Sequence, residues 1–346
     1  MKATTWIGWP LAALMGCQPA PSQTAPADLA VADGRPADQG AAPDGGAPPD
    51  AAPADLGAPD GPSPAVPVGP AATLQPEGLF PDPVRGLAVL AAGALFQTRS
   101  GVVWWGAEGL QALPVPAMVA AAQVAETRLL VDGGGALWVL DEAQLAPSPL
   151  PVADVVDLAA EGDRLWISTA TGLHLWEAGV LRPVAALAPE ELPAHGLTPG
   201  RWGEASALWF LTAEGTPSAL VATGDGVQRW RMADAPDQVY ALAASPGGTW
   251  ALAGGALWRF DEARWAPVPF GGRAAALAAH PAAPDLWIGL TDGTLWHTQG
   301  ERYRPVRGLA PAGVLQADAA GALWAAGAAG VQRASMGRGG VLDAPP

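Results

Sequence analysis

The chain has 346 residues, with 18 basic and 33 acidic side chains, a formal net charge of −15 and one cysteine. Its only lysine is Lys2, arginine is its only other fixed cation, and the acidic balance argues against a nucleic-acid partner, which needs a basic face. A lone cysteine excludes an internal disulfide, and the absence of asparagine excludes N-glycosylation and leaves Gly and Asp to form the turns.

Residues 1–17 carry one charge at Lys2, an apolar run from Trp6 to Met15, and then Gly16-Cys17. The run is too short to span a bilayer and has the layout of a cleaved secretory signal. Leu14-Met15-Gly16-Cys17 resembles a bacterial lipobox, with Met15 as its one departure from the usual pattern. That resemblance implies lipid on Cys17 and attachment to a membrane of the bacterial cell envelope through it. The alternative is ordinary secretion with an unmodified cysteine. Gln18, by resemblance to enterobacterial lipoproteins, points to the outer membrane.

Residues 18–73 are Pro, Ala, Asp and Gly with few large apolar side chains, a composition that cannot offset the entropy of ordering. A disordered linker is expected. Asp28, Asp33, Asp38, Asp44, Asp50, Asp55 and Asp60 are too widely spaced for a calcium loop, and their repulsion would keep the linker stretched.

From residue 74 to 346 a unit repeats. Taking its Leu-Trp step as a marker gives Leu95, Leu129, Leu165, Leu208, Thr249, Leu286 and Leu323, about 38 residues apart. Gly or Pro punctuates every unit, and no helical period appears. The units read as four short strands each: a small-residue strand such as Ala241 to Ser245, a Leu-Trp strand, a Gly-x-Leu-Trp strand, and one ending near Pro-Val. Seven such units predict an all-β fold, a seven-bladed β-propeller. Pro83 to Ala88 repeats as Pro305 to Ala310, where it joins one blade to the next. A segment before Pro83, around Leu79 and Phe80, is therefore expected to complete the last blade and close the ring, covering an edge that would otherwise be open.

The passage from Val314 through Gly321-Ala-Leu-Trp324 to Arg333, with Asp285-Leu-Trp-Ile-Gly289 and Trp296, resembles the two-component-regulator propeller repeat over roughly residues 76–336. In that family such propellers form the external sensing part of membrane histidine kinases, often linked to polysaccharide detection. The layout of signal, linker and ring is also similar to the propeller lipoprotein of the outer-membrane barrel-assembly machinery, although the repeat type differs.

Tryptophan is abundant. Trp166, Trp209, Trp250, Trp287 and Trp324 share one repeat position, and Trp104, Trp138, Trp176, Trp230, Trp258 and Trp296 share another, so both sets are expected to pack between blades. Trp202 and Trp265 fall outside both and are expected to be exposed.

Chemistry is sparse. His174, His195, His280 and His297 sit in different units without metal-ligand spacing, and no nucleophile motif occurs, so no catalytic residue, metal or cofactor is expected. The fourth unit is irregular, with a long approach at 185–198 and an apparent loop at 212–225, two connections that leave a propeller on one face. Glu190, Glu191, His195, Arg201, Trp202, Glu204 and Glu214 are the expected binding surface, since function gathers in irregular loops on a rigid scaffold. A neutral insertion would look the same. The reading is a monomeric envelope lipoprotein that binds a protein or glycan partner. Its alternatives are a scaffold subunit of an outer-membrane assembly or signalling complex, and a propeller-type glycan hydrolase or lyase.

Overall fold

In a computed structural model, the described residues are 72–73, 83–184, 186–223, 226–232, 234–261, 264–299, 302–306, 309, 312–327, 330–336 and 342–343. They form a seven-bladed β-propeller. Each of the first six blades is an antiparallel four-stranded meander, spanning 86–112, 118–147, 155–183, 195–231, 239–267 and 274–306. The seventh uses Val314–Ala317, Leu323–Gly327 and Gly330–Met336, with Ala72–Thr73 as its outermost strand. The innermost strands neighbour one another in ring order, and that of blade 7 lies beside that of blade 1.

The ring is thus closed by an N-terminal strand, as the repeated hexapeptide implied. Ala72 and Thr73 pair with Arg333 and Gln332, a few residues before the expected segment, so the propeller begins inside the stretch assigned to the linker. Leu79 and Phe80 lie outside the described residues, as do residues 1–71 with Cys17. Leu342–Asp343 pairs with the other end of the same blade-7 strand.

Seven apolar clusters hold the ring, one across each gap between neighbouring blades. In blades 3 to 7 the second strand directs its tryptophan at the following blade: Trp166, Trp209, Trp250, Trp287 and Trp324, all buried. Blades 1 and 2 use Leu95, and Leu129 with Val131, for the same purpose. The closing gap is aromatic, with Trp324 edge-on to Trp105 at 5.5 Å and tilted against Phe96 at 6.4 Å. Small residues complete the fit, since Ala94, Ala251, Ala326 and their neighbours let two sheets approach.

Turns supply a second tie between blades. The carbonyls of Gly135, Gly215 and Gly255 accept the N–H of Val155, Val239 and Ala274, the first residues of the next blade's inner strand. These glycines have φ near +80°, and a Cβ on Gly135 would stand 3.1 Å from the Asp154 backbone, so the contact requires glycine. Without asparagine, aspartate organises the turns. Asp132 and Asp318 each accept two backbone N–H groups on one oxygen and a tryptophan Nε1 on the other, from Trp138 and Trp324.

Two tryptophan assignments are corrected. Trp265 is buried, because it packs into the gap between blades 4 and 5 and donates to the Met232 sulfur. Trp230 is exposed, because it lies on the outermost strand of blade 4 and not on a third strand. The two positions separate packing from exposure. Trp324→Ala is expected to lower unfolding free energy by about 3–5 kcal/mol, and Trp230→Ala by about 0.5 kcal/mol, in urea denaturation followed by circular dichroism. Equal losses at both sites would contradict the gap-packing account.

Candidate functional site

Blade 4 departs from its neighbours in its connections, though not as its sequence suggested. Within the expected loop 212–225, the described residues 212–223 are not a loop. They contain the third strand, Pro217–Thr223, after a tight turn, and Gly226–Arg231 is the fourth strand. The Gly-to-Trp spacing of that outer strand imitates a third strand, while the true one, all small or aliphatic after Pro217, lacks the tryptophan mark. The approach at 186–194 does form an excursion and holds a short 3-10 turn, Pro189–Glu191.

The seven expected binding residues divide between the two faces of the ring. Glu190, Glu191, His195 and Glu214 stand at the entry end of the inner strand His195–Trp202, where the Ala213 N–H donates to the Glu191 carbonyl. Arg201, Trp202 and Glu204 stand at its far end, about 20 Å away along an extended strand. One inner strand carries both groups and keeps them apart.

Glu191 is only 1% exposed. One carboxylate oxygen accepts the Ala188 N–H at 3.0 Å, and the other takes Arg231 Nη2 at 2.6 Å and the Arg229 guanidinium. A buried carboxylate held by two guanidiniums ties the blade 3–4 connection to the outer strand of blade 4. It is therefore structural rather than available to a ligand. Burial, with Arg231 beside it, lowers the Arg229 guanidinium from its ordinary value. Glu190 and Glu214 are exposed. His195 is half-buried, and burial lowers its pKa from 6.5, so it is neutral at pH 7.

At the far end, Trp202 stacks on Trp209 with centroids 5.5 Å apart and 12° between planes, and also meets Trp230 at 5.1 Å and Phe260 at 4.7 Å. Three rings around Trp202 leave it half-buried rather than exposed as its sequence position suggested, while Trp230 is 41% exposed. Arg201 and Glu204 form an exposed pair at 3.8 Å, which adds little stability and leaves both heads free for a partner.

Next to this sector the gap between blades 3 and 4 opens into a cleft of about 620 Å³. Trp166 and Leu175 of blade 3 face Leu208, Leu220 and Ala222 of blade 4. At its mouth Glu177 accepts Arg164 Nε at 2.6 Å and also pairs with Arg182. The hydrogen bond from Arg164 holds the Glu177 carboxyl below the ordinary range, assisted by Arg182, and Glu161 lies beside Arg164. Sequence reading missed this site, because antiparallel pairing brings Arg164 opposite Glu177, a register not visible from residue types.

A further polar group lies on the ring's inner wall. Asp157 accepts the N–H of Leu158 at 2.8 Å and, across to blade 4, that of Leu197 at 2.9 Å. Burial pushes its pKa up from 3.8 to about 6 against these two hydrogen bonds. Elsewhere neutral groups make such bridges: Gln316 to Val89 and Tyr240 to Ala274. The other acid–base pair is inaccessible. His297 is 3% exposed, 3.6 Å from Asp285 and covered by Trp287 at 4.3 Å. Among the described residues, no three His, Cys, Asp or Glu side chains gather as a metal site.

No family profile matches the sequence, and no curated protein is similar to it. Solved structures are similar in fold. The extracellular domain of a putative hybrid two-component system from B. thetaiotaomicron aligns over 77% of this chain with a TM-score of 0.55 and 12% identity. This chain covers 39% of that one, well under half its length. The WD40 propeller domain of Doa1 aligns over 77% of this chain and 95% of its own, with a TM-score of 0.51 and 12% identity. YCF48 from Cyanidioschyzon merolae aligns over 77% and 98%, with a TM-score of 0.54 and 11% identity. These likenesses place the chain in the propeller fold, among them the extracellular propellers that its repeat resembles.

Asp157 gives a pH signature. Because its folded pKa lies above the unfolded value, its contribution is full below pH 4 and is lost as pH rises through about 6. In Asp157→Asn that loss disappears. The stability of wild type relative to the variant is expected to fall by up to about 3 kcal/mol between pH 4 and pH 8, measured by urea denaturation at each pH. A pH-independent difference would refute the burial of this carboxyl.

Proposed function

We infer that this chain is a non-catalytic binding module of the bacterial cell envelope. Lipid on Cys17 anchors it to a membrane, the outer one by its signal, and the propeller engages a protein or glycan partner. One observation carries the binding reading. The described residues hold three exposed large apolar side chains, Val180, Val227 and Trp230, and all three lie on the outer strands of adjacent blades 3 and 4. Val180 and Val227 flank the blade 3–4 gap, and Trp230, on the opposite face of its strand, meets Trp202 beside the exposed Arg201 and Glu204, so the rim of blade 4 has the composition of a contact surface. Exposed arginine and tryptophan are the side chains that dominate binding energy in such surfaces. The extracellular placement named for the B. thetaiotaomicron propeller supports an envelope location, and the lipobox supports the anchor.

Two experiments test this reading. Cys17→Ser is expected to move the protein from the membrane fraction to the soluble one, and continued membrane attachment of the variant would refute lipid anchoring. For binding, the full chain is applied to a glycan array and to chemical cross-linking in intact envelopes. A partner is expected whose capture falls at least tenfold in the Arg201→Ala, Trp202→Ala double variant or in Trp230→Ala. Capture unchanged in both would move the surface elsewhere, and turnover of any glycan on the array would overturn the non-catalytic reading.

A further inference from the structure

The cleft between blades 3 and 4 has a chemistry of its own. Its floor is Leu175, Leu208, Leu220 and Ala222, and its rim holds two arginines, Arg164 and Arg182, with two glutamates, Glu161 and Glu177. Both guanidiniums share one carboxylate, Glu177, and each engages it through a single nitrogen. Most of their N–H donors remain unspent, at half-exposed positions with 42% and 57% side-chain exposure. Glu177 has already accepted two cations, so what these three groups still offer is donation.

We propose that this cleft binds an extended peptide segment of a partner protein that inserts aliphatic side chains between the blades and places an Asp or Glu carboxylate against Arg164 and Arg182. The inference rests on the binding-module reading above and assigns the blade 3–4 part of that surface, with Val180 and Val227, a partner class. Three features select a peptide. The apolar surface does not end at the cleft but continues to Val227, one of its lining residues, and Val180 is exposed on the adjoining outer strand, whereas a small-molecule site encloses most of its ligand. The walls are two β-sheets, so an extended chain can send alternate side chains inward. Both rim arginines keep N–H groups beyond the one given to Glu177, and arginine can take a carboxylate in a planar, bidentate pair that a point charge cannot.

The test is a displayed random 12-residue peptide library selected on the full chain and counter-selected on Ala222→Trp, in which an indole fills the cleft from an exposed position. Enriched sequences are expected to combine aliphatic residues with Asp or Glu. In fluorescence anisotropy, a synthetic copy should bind at least tenfold more weakly to Arg182→Ala and to Ala222→Trp. Its Asp→Asn or Glu→Gln version should lose a similar factor, while Glu108→Ala, at an exposed turn of blade 1, leaves binding unchanged. The proposal is overturned by a selection that yields nothing specific to the open cleft, or by sequences without acidic residues. Concentration-dependent dimerisation abolished by Ala222→Trp would also overturn it, since a second copy of the chain would then be the occupant. Failure here with an effect of Trp202 or Trp230 variants on capture would leave the binding-module reading standing without the peptide.

Discussion

The structure depends on one repeated contact, an indole on the second strand of a blade laid across the gap against the next blade. Each blade alone is a small twisted sheet with two faces to cover and no helix to cover them. Only a neighbour on each side removes both faces from water, so the blades are stable as a set and the set must close. An indole at this position spans the gap near its middle, where the sheets still lie close. Small residues around it, mostly alanine, set how closely they lie. A chain half of whose residues are hydrophobic and only 7% aromatic reflects that arrangement: few large anchors amid many small spacers.

The same contact explains what the sequence made legible. Because blades 3 to 7 pack their gaps in the same way, the Leu-Trp step recurs, and its recurrence makes the blade count and the general strand order of a blade legible in the sequence. Ring closure could be inferred because Pro83 to Ala88 copies a connector whose place was known. Its exact strand could not be, since Ala72 and Thr73 bond through their backbone to Gln332 and Arg333, and backbone pairing leaves no mark on side-chain identity. Blade 4 defeated the same reading for a related reason. Its third strand has no tryptophan, and its fourth has one at the spacing of a third, so Trp230 read as a packing residue while standing in solvent. Trp265 failed in the other direction, because it fills the gap from a fourth strand, where no marker was sought.

The candidate surface was less legible than the fold. Loop irregularity drew attention to blade 4, yet linear proximity grouped residues that an eight-residue strand separates. Glu191 shows the limit most clearly. A glutamate in a long connection reads as an exposed contact, but two arginines from a strand 40 positions away convert it into an internal tie. Burial of a carboxylate depends on cations that only topology supplies.

Charge on this molecule is therefore ordered by geometry rather than by number. Arginine is the only fixed cation in the ring, and at two places flanking the blade 3–4 gap a pair of them converges on one glutamate: Arg229 and Arg231 on Glu191, Arg164 and Arg182 on Glu177. The two pairs look alike in composition and differ in access. Around Glu191 the carboxylate is enclosed, so the cluster locks a connection and gives nothing outward. Around Glu177 the carboxylate and both guanidiniums reach solvent above an apolar floor, so the same ratio of charges leaves donors facing outward. The difference follows from the outward splay of neighbouring blades. The cleft is lined there by the small side chains Ala222 and Thr223, so the packing that holds the ring together gives way to open space between the two blades.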